Sequence, residues 1–172
     1  MGKKVLLTGP PGCGKTTMLL QVLEATSWEA GGFFTQEERQ RGQRVGFRLI
    51  TLDGRQGMLA HVGRRGKPRV GKYGVDLGVL DSLGAAAIED AVSTAELVVI
   101  DEIGPMEVLS ARFRQAVLNA LESERAVLGT ILWRSRPFTD SVKARADVRL
   151  IEIKRGERSR ITALQIIELL RE

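Results

Sequence analysis

The segment Gly9-Pro10-Pro11-Gly12-Cys13-Gly14-Lys15-Thr16 constrains the fold of this chain more than any other stretch. It follows Lys3 to Thr8, a short aliphatic run that reads as a buried strand. It leads into Gly14 to Ala25, where Leu19, Leu20 and Leu23 fall on one side of a helix. A strand, a G-x-x-x-x-G-K-[ST] loop and a helix in that order form a phosphate-binding unit. The glycines let successive N–H groups turn toward phosphate oxygens, and the helix N-terminus adds a dipole that favours an anion. Gly9, Pro10, Pro11, Gly12, Cys13 and Gly14 are therefore read as the nucleotide-binding loop of a P-loop NTPase. Lys15 is placed at the β- and γ-phosphates and Thr17 at the α-phosphate, with the Thr16 hydroxyl as a Mg2+ ligand.

The rest of the chain alternates strands with helices. Gly31 to Val62 reads as two successive hairpins, with the alternation Val45, Phe47, Leu49 between the Gly-containing turns RGQR and DGRQG. GRRGKPRVGKYG then reads as a loop. A helix over Asp81 to Ala95, a strand over Leu97 to Asp101 and a helix over Glu107 to Glu124 follow. In that last helix Leu109, Phe113, Ala116, Val117, Ala120 and Leu121 form an apolar stripe directed at the core. A strand over Ala126 to Leu132, a short helix near Thr139 to Arg145, a strand over Val148 to Ile153 and a helix near Arg160 to Leu170 complete the series. This pattern predicts an α/β fold: a mostly parallel sheet with helices on both faces and an antiparallel hairpin insertion.

With 172 residues, 43% of them apolar, the chain is expected to form a single domain over residues 1–172, burying roughly 70% of its unfolded surface. Cys13 is its only cysteine, so an intramolecular disulfide is excluded, and with His61 as the only histidine a Cys/His zinc cage is excluded too. Aliphatic runs such as Leu97 to Ile100 are too short to span a bilayer, Val5 to Leu7 is too short for a signal-peptide core, and Leu6 breaks the myristoylation pattern. No membrane association and a cytoplasmic location are expected.

A second motif, LVVIDEIGPME from Leu97 to Glu107, runs four aliphatic residues into two acids. Ligand sites in parallel sheets lie outside the carboxyl ends of the strands, which puts Asp101 and Glu102 beside the phosphate loop. Asp101 is assigned to Mg2+ through water, and Glu102, one residue on and facing differently, to polarising the attacking water. Glu107 is read either as a helix N-terminal acid or as a group positioning water or magnesium. Thr130 either presents its hydroxyl near the γ-phosphate or fills a strand interior. A carboxylate directly after the magnesium acid favours a hydrolase over a kinase, although an arginine-rich segment could imitate a kinase lid.

That segment, Arg39 to Lys72, holds ten Lys/Arg against one acid, Asp53, giving +9 against −4 for the remainder. A polyanionic partner or a solvated surface accounts for it equally well. Arg39 and Arg44 are candidates for stabilising transition-state charge, against the plainer reading of solvated hairpin arginines. Nucleic acid is not favoured as a partner: no recognised binding motif is present, and one Tyr and five Phe offer little for base stacking. Cys13 reads as a filler rather than a redox switch, His61 receives no role, and Trp28 and Trp133 read as packing residues, with Trp133 and Arg134 alternatively part of a base pocket. No motif bears on oligomeric state. A phosphotransferase and a nucleic-acid-associated NTPase switch are the competing functional classes.

The segments GPPGCGKTT, GGFFTQEERQRGQRVGF, VGKYGVD, VVIDEIGPME and GTI together resemble the thermophilic-type nucleoside-triphosphatase family, over Lys4 to about Arg158. The hairpin from Thr35 to Phe47 and the extension IDEIGPME make the resemblance specific; the phosphate loop alone indicates only a P-loop NTPase. The resemblance implies a RecA-like domain that hydrolyses ATP, GTP, CTP and UTP to diphosphate and phosphate with Mg2+. Lys15 and Thr16 would lie at phosphates and metal, and Glu102 would be the catalytic carboxylate. Where the family tends to carry Glu-Asn-Arg, this chain has Gly156-Glu157-Arg158, so Arg158 matches as a nucleotide-binding residue and the asparagine does not.

Overall fold

A computed structural model describes residues 2–155 and 161–172. The elements are β1 (Lys4–Thr8), α1 (Lys15–Ala25), β2 (Ala30–Gln40), β3 (Gln43–Thr51), β4 (Gln56–His61), β5 (Arg69–Val70) and β6 (Tyr73–Val75). Next, α2 (Leu77–Val79) passes through a π-helical turn, Leu80–Ala85, into α3 (Ala86–Thr94). Then come β7 (Leu97–Ile103), a 3-10 turn Glu107–Leu109, α4 (Ala111–Glu122), β8 (Ala126–Ile131), α5 (Pro137–Lys143), β9 (Val148–Glu152) and α6 (Ala163–Arg171).

Among the described residues the strands form one sheet in the order β5-β6-β4-β3-β2-β7-β8-β1-β9. From β2 to β9 all neighbours are parallel; from β2 outward to β5 all are antiparallel. Strands β1 and β8 are buried at every residue, as expected of aliphatic strands covered on both faces. One face packs on α3 and α4, through Ile88, Ala91, Phe113, Val117 and Leu121 against Leu6, Phe33, Val98 and Ile100. The other packs on α1 and α6, through Leu19, Val22, Ile166 and Leu170 against Val5, Leu7, Val99 and Leu128. Alternate residues of β1 and β7 supply the two cores. This is the RecA-like P-loop fold, with β8 inserted between the strand that feeds the phosphate loop and the strand that carries Asp101.

The two antiparallel hairpins form as expected, over β2, β3 and β4, and join the parallel sheet through one strand: Ala30 to Phe33 of β2 pair in parallel with Leu97 to Ile100, and the same strand continues outward to pair with β3. Three local differences from the sequence reading have physical causes. The stretch GRRGKPRVGKYG is not wholly a loop, since Arg69–Val70 and Tyr73–Val75 form a short hairpin on the sheet edge. Helix α4 starts at Ala111, capped by the Ser110 hydroxyl accepting from Phe113 N at 3.0 Å, so Leu109 falls outside it and is 37% exposed. The last helix begins at Ala163, where Thr162 and Gln165 form a capping box. Lys4 is buried in β1, and its Nζ donates to Ser123 O at 2.8 Å and to Arg125 O, tying the start of the strand to the α4–β8 turn. No helix of the described residues is long and apolar enough to cross a membrane.

Candidate functional site

Strand β1 ends at Thr8, whose hydroxyl donates to Ile131 O at 3.0 Å, and the chain then turns through the glycine loop into α1. Gly12 and Gly14 hold φ of +73° and +100°, conformations that a side chain resists, so the loop can curl tightly just before the helix. Lys15 stands at the first turn of α1 and its Nζ donates to Gly9 O at 2.9 Å, which holds the ammonium over the loop. Cys13 is buried among Leu7, Leu19 and Ile153, consistent with a filler role in packing.

The two acids of the second motif lie within β7 rather than at its end. Ile100 pairs with Gly129 but Ile103 pairs with Ile131, so three residue steps on β7 match two on β8, and Asp101 and Glu102 occupy the irregularity. Such a bulge re-aims side chains at the end of a ladder. Asp101, only 1% exposed, accepts from Thr130 Oγ1 at 2.6 Å on Oδ1 and from Thr16 Oγ1 at 3.0 Å on Oδ2, with a further hydrogen bond from the Thr35 backbone. Burial pushes this carboxyl above its ordinary value against the pull of those three donors and of Lys15. Glu102 is likewise raised, by burial and then by the charge of Asp101. Its carboxylate folds over Gly104, where an added Cβ would lie 2.5 Å from Oε1, so this position accepts no side chain without moving the acid.

A cavity of about 480 Å3 joins these groups: Pro11, Gly12, Gly14, Lys15, Thr16, Thr17 and Leu20 form one wall, Phe34 to Glu37 with Phe47 the other, and Asp101 with Glu102 the floor. A second cavity of about 420 Å3 adjoins the loop, lined by Cys13, Gly14, Thr17, Met18 and Gln21 of one segment and by Ile151 to Lys154 and Ile161 of another. The structure thus brings together Gly12, Gly14, Lys15, Thr16, Thr17, Asp101 and Glu102. Thr130 does not reach the cavity as a free hydroxyl; it is spent on Asp101. Arg158 lies outside the described residues. Arg155, which sequence reasoning passed over, has Nη2 3.5 Å from where a Cβ of Gly12 would sit. Its only sequence signal is its basic neighbourhood after β9.

Trp133, Trp28 and His61 are placed away from the cavity. Trp133 is 48% exposed beyond β8 and lines neither cavity beside the loop, so a base pocket with Arg134 is not formed there. Trp28 packs under the Arg171 guanidinium, 5.8 Å from its ring centroid. His61 accepts from Gly63 N at 2.9 Å. The basic segment is also less basic in space than in sequence. Arg39 and Arg44 pair with Glu37, Arg48 with Glu38, Arg55 with Asp53 and Asp90, and Arg64 with Asp76. Widening the window to residues 37–76 lowers its net charge from +9 to +6.

Glu107 is a first-turn acid, but of a short 3-10 turn and not of α4. It sits in the 3-10 turn before α4, 3% exposed, and among the described residues its Oε2 has no hydrogen-bond partner. Burial, and next the charge of Glu102, push its carboxyl well above the ordinary glutamate value. Below about pH 4.3 the folded and unfolded chains both hold this proton. Above it the unfolded chain releases the proton while the folded one keeps it, so stability falls as pH rises until the folded group ionises. Glu107→Gln should remove that slope. Thermal unfolding across pH 4 to 8 is expected to show the variant more stable than the parent at the alkaline end, with the gap closing toward pH 4; a gap of constant size would contradict the assignment.

The NTPase family profile matches residues 4–166 of the chain. The nucleoside-triphosphatase THEP1 of Thermotoga sp. (strain RQ2) is 44% identical over 156 residues, covering 91% of this chain and 89% of that protein. The mouse cancer-related nucleoside-triphosphatase homolog is 39% identical over 175 residues, covering 92% of each. Among solved structures, THEP1 from the hyperthermophile Aquifex aeolicus superposes with a TM-score of 0.88 at 32% identity, covering 98% of this chain and 99% of that one. A human cancer-related nucleoside triphosphatase superposes at 0.80 and 35% identity, with 96% of each chain covered. Sequence and fold agree along nearly the whole length, and the chain belongs to this nucleoside-triphosphatase family.

Proposed function

We propose that this chain, as a single cytoplasmic domain, is a Mg2+-dependent hydrolase that converts ATP, GTP, CTP and UTP to the diphosphate and orthophosphate. The observation that carries this reading is the direct link between the phosphate-loop helix and the acid strand, the 3.0 Å hydrogen bond from Thr16 Oγ1 to Asp101 Oδ2 on the wall of one cavity that also holds Lys15 and Glu102. Names of relatives that act on nucleoside triphosphates support the same class.

The donor set suits magnesium. One hydroxyl and one carboxylate are hard oxygen ligands that leave most positions to phosphate and water, and among the described residues no group of three His, Cys, Asp or Glu builds an all-protein cage. Thr16 and Asp101 would hold the ion, which would supply positive charge to offset that of the phosphoryl oxygens. Lys15 provides a fixed positive charge at the same oxygens. Asp101, held by Thr130, Thr16 and the Thr35 amide, keeps one orientation. Glu102 accepts a hydrogen bond from the water that attacks the γ-phosphorus, and as the new P–O bond forms the bridging bond to the β-phosphate breaks, with the diphosphate as leaving group. The water's proton passes to the carboxylate or to the phosphate released. The second cavity is lined by apolar Met18, Ile151, Ile153 and Ile161 together with Thr17, Gln21, Glu152 and Lys154; base tolerance is proposed on the apolar side chains, which can hold a base by its faces rather than its edges.

Phosphate release from each of the four triphosphates with Mg2+, with and without RNA or DNA, tests this reading. Release from all four, unstimulated and with no phosphoryl acceptor added, is expected. Release that needs nucleic acid would instead favour a switch, and diphosphate formation that needs a small hydroxyl acceptor would favour a phosphotransferase.

A further inference from the structure

The wall opposite the phosphate loop carries charges that hydrolysis as outlined does not use. Glu37 lines the cavity with Lys15, Asp101 and Glu102. Its carboxylate accepts from Arg39 Nη2 at 2.8 Å and Nε at 3.0 Å, and from Arg44 Nη1 at 3.1 Å. Arg44 is fixed from behind, donating from Nε to the Tyr73 hydroxyl at 3.0 Å with its guanidinium 5.1 Å from the Phe47 ring centroid. Partial burial pushes the Glu37 carboxyl up, but hydrogen bonds and charge from the two arginines outweigh it and leave the group below its ordinary value. Thr35, whose backbone reaches Asp101, lies two residues before Glu37, roughly 7 Å along the strand.

A carboxylate on this wall has the wrong sign for a bound triphosphate. With Asp101 and Glu102 it makes a third acid lining the cavity that holds Lys15. The two guanidiniums have the right sign, and their donor forks bind carboxylate and phosphate by the same geometry. The ion pairs are close to half-exposed, with side-chain exposures of 54% for Arg39 and 43% for Arg44 and Glu37, so exchanging one anion for another costs little. We propose that Glu37 is a stand-in for the γ-phosphate: triphosphate takes over hydrogen bonds from Arg39 and Arg44 that the carboxylate otherwise holds, and diphosphate, lacking that group, leaves the trio intact. The arginine pair then discriminates substrate from product. This rests on the reading of the cavity as the triphosphate site.

Titration calorimetry with Mg2+ and a non-hydrolysable triphosphate analogue, set against the corresponding diphosphate, tests it on the parent chain, Glu37→Gln, Arg44→Ala and the double variant. Glu37→Gln is expected to tighten the triphosphate analogue several-fold and to leave the diphosphate within about twofold. Arg44→Ala should weaken the triphosphate analogue by about tenfold, the scale of one charge-assisted hydrogen bond, again sparing the diphosphate, and the double variant should lose the gain. If the trio only braced the hairpin, both nucleotides would shift together or neither would, and the proposal would be overturned while the site remained. A parent chain that bound neither nucleotide would overturn the triphosphate reading and this proposal with it.

Discussion

Glu102→Gln should lower turnover by roughly 10²–10⁴-fold, the range attributed to a positioned acid or base, while nucleotide still binds. The amide keeps the shape that fits over Gly104 and in the bulge of β7 but cannot take up a proton or orient water by a full negative charge. Because the carboxylate acts on water rather than on ground-state nucleotide, the loss belongs in kcat and not in affinity. Single-turnover phosphate release, paired with a binding titration, separates the two. Weakened binding at unchanged turnover would remove Glu102 from the role proposed for it.

Lys15→Ala should behave differently, with binding and turnover failing together. The ammonium is held over the loop by Gly9 O, where it meets the phosphates in both the bound and the transition state. Its removal is expected to lower kcat/KM by at least about 10²-fold, the scale seen when a donor at developing charge is deleted. The side chain contributes nothing to either hydrophobic core, so the fold should survive and circular dichroism should match the parent. Steady-state kinetics on ATP give the answer directly: wild-type turnover in this variant would dismiss the phosphate loop as the site.

Much of this architecture was legible because its signals are local. The phosphate loop announces itself by glycine spacing between an aliphatic run and an amphipathic one, and the acid pair by its position after four aliphatic residues. The bulge at Asp101 and Glu102 was not legible, since it exists only in the pairing of β7 with β8. Thr130 could be read two ways until its partner, 29 positions back in the chain, was located. Glu107 could be read as an acid opening a helix or as a group positioning water or magnesium; only tertiary packing shows how fully it is buried. The β5–β6 hairpin has strands of two and three residues, too short for a periodic pattern, and lies in a stretch whose glycines and lysines read as loop. The basic window stayed open between two readings for a related reason: a count along the chain cannot include Asp90, which pairs with Arg55 across space.

Strand β2 has a consequence for anyone reshaping this protein. Near its start Gly32 runs so close to β7 that an added Cβ would strike the backbone of Val99, and a few residues later the same strand forms the wall that faces the phosphate loop. Frame and lining are one uninterrupted piece of backbone. The arm therefore cannot be exchanged as a cassette: a graft must keep the seam at Gly32 and the registers with β7 and β3, and a library aimed at new substrates should vary the cavity-lining side chains of Gln36, Glu37 and Phe47 while leaving that backbone path alone.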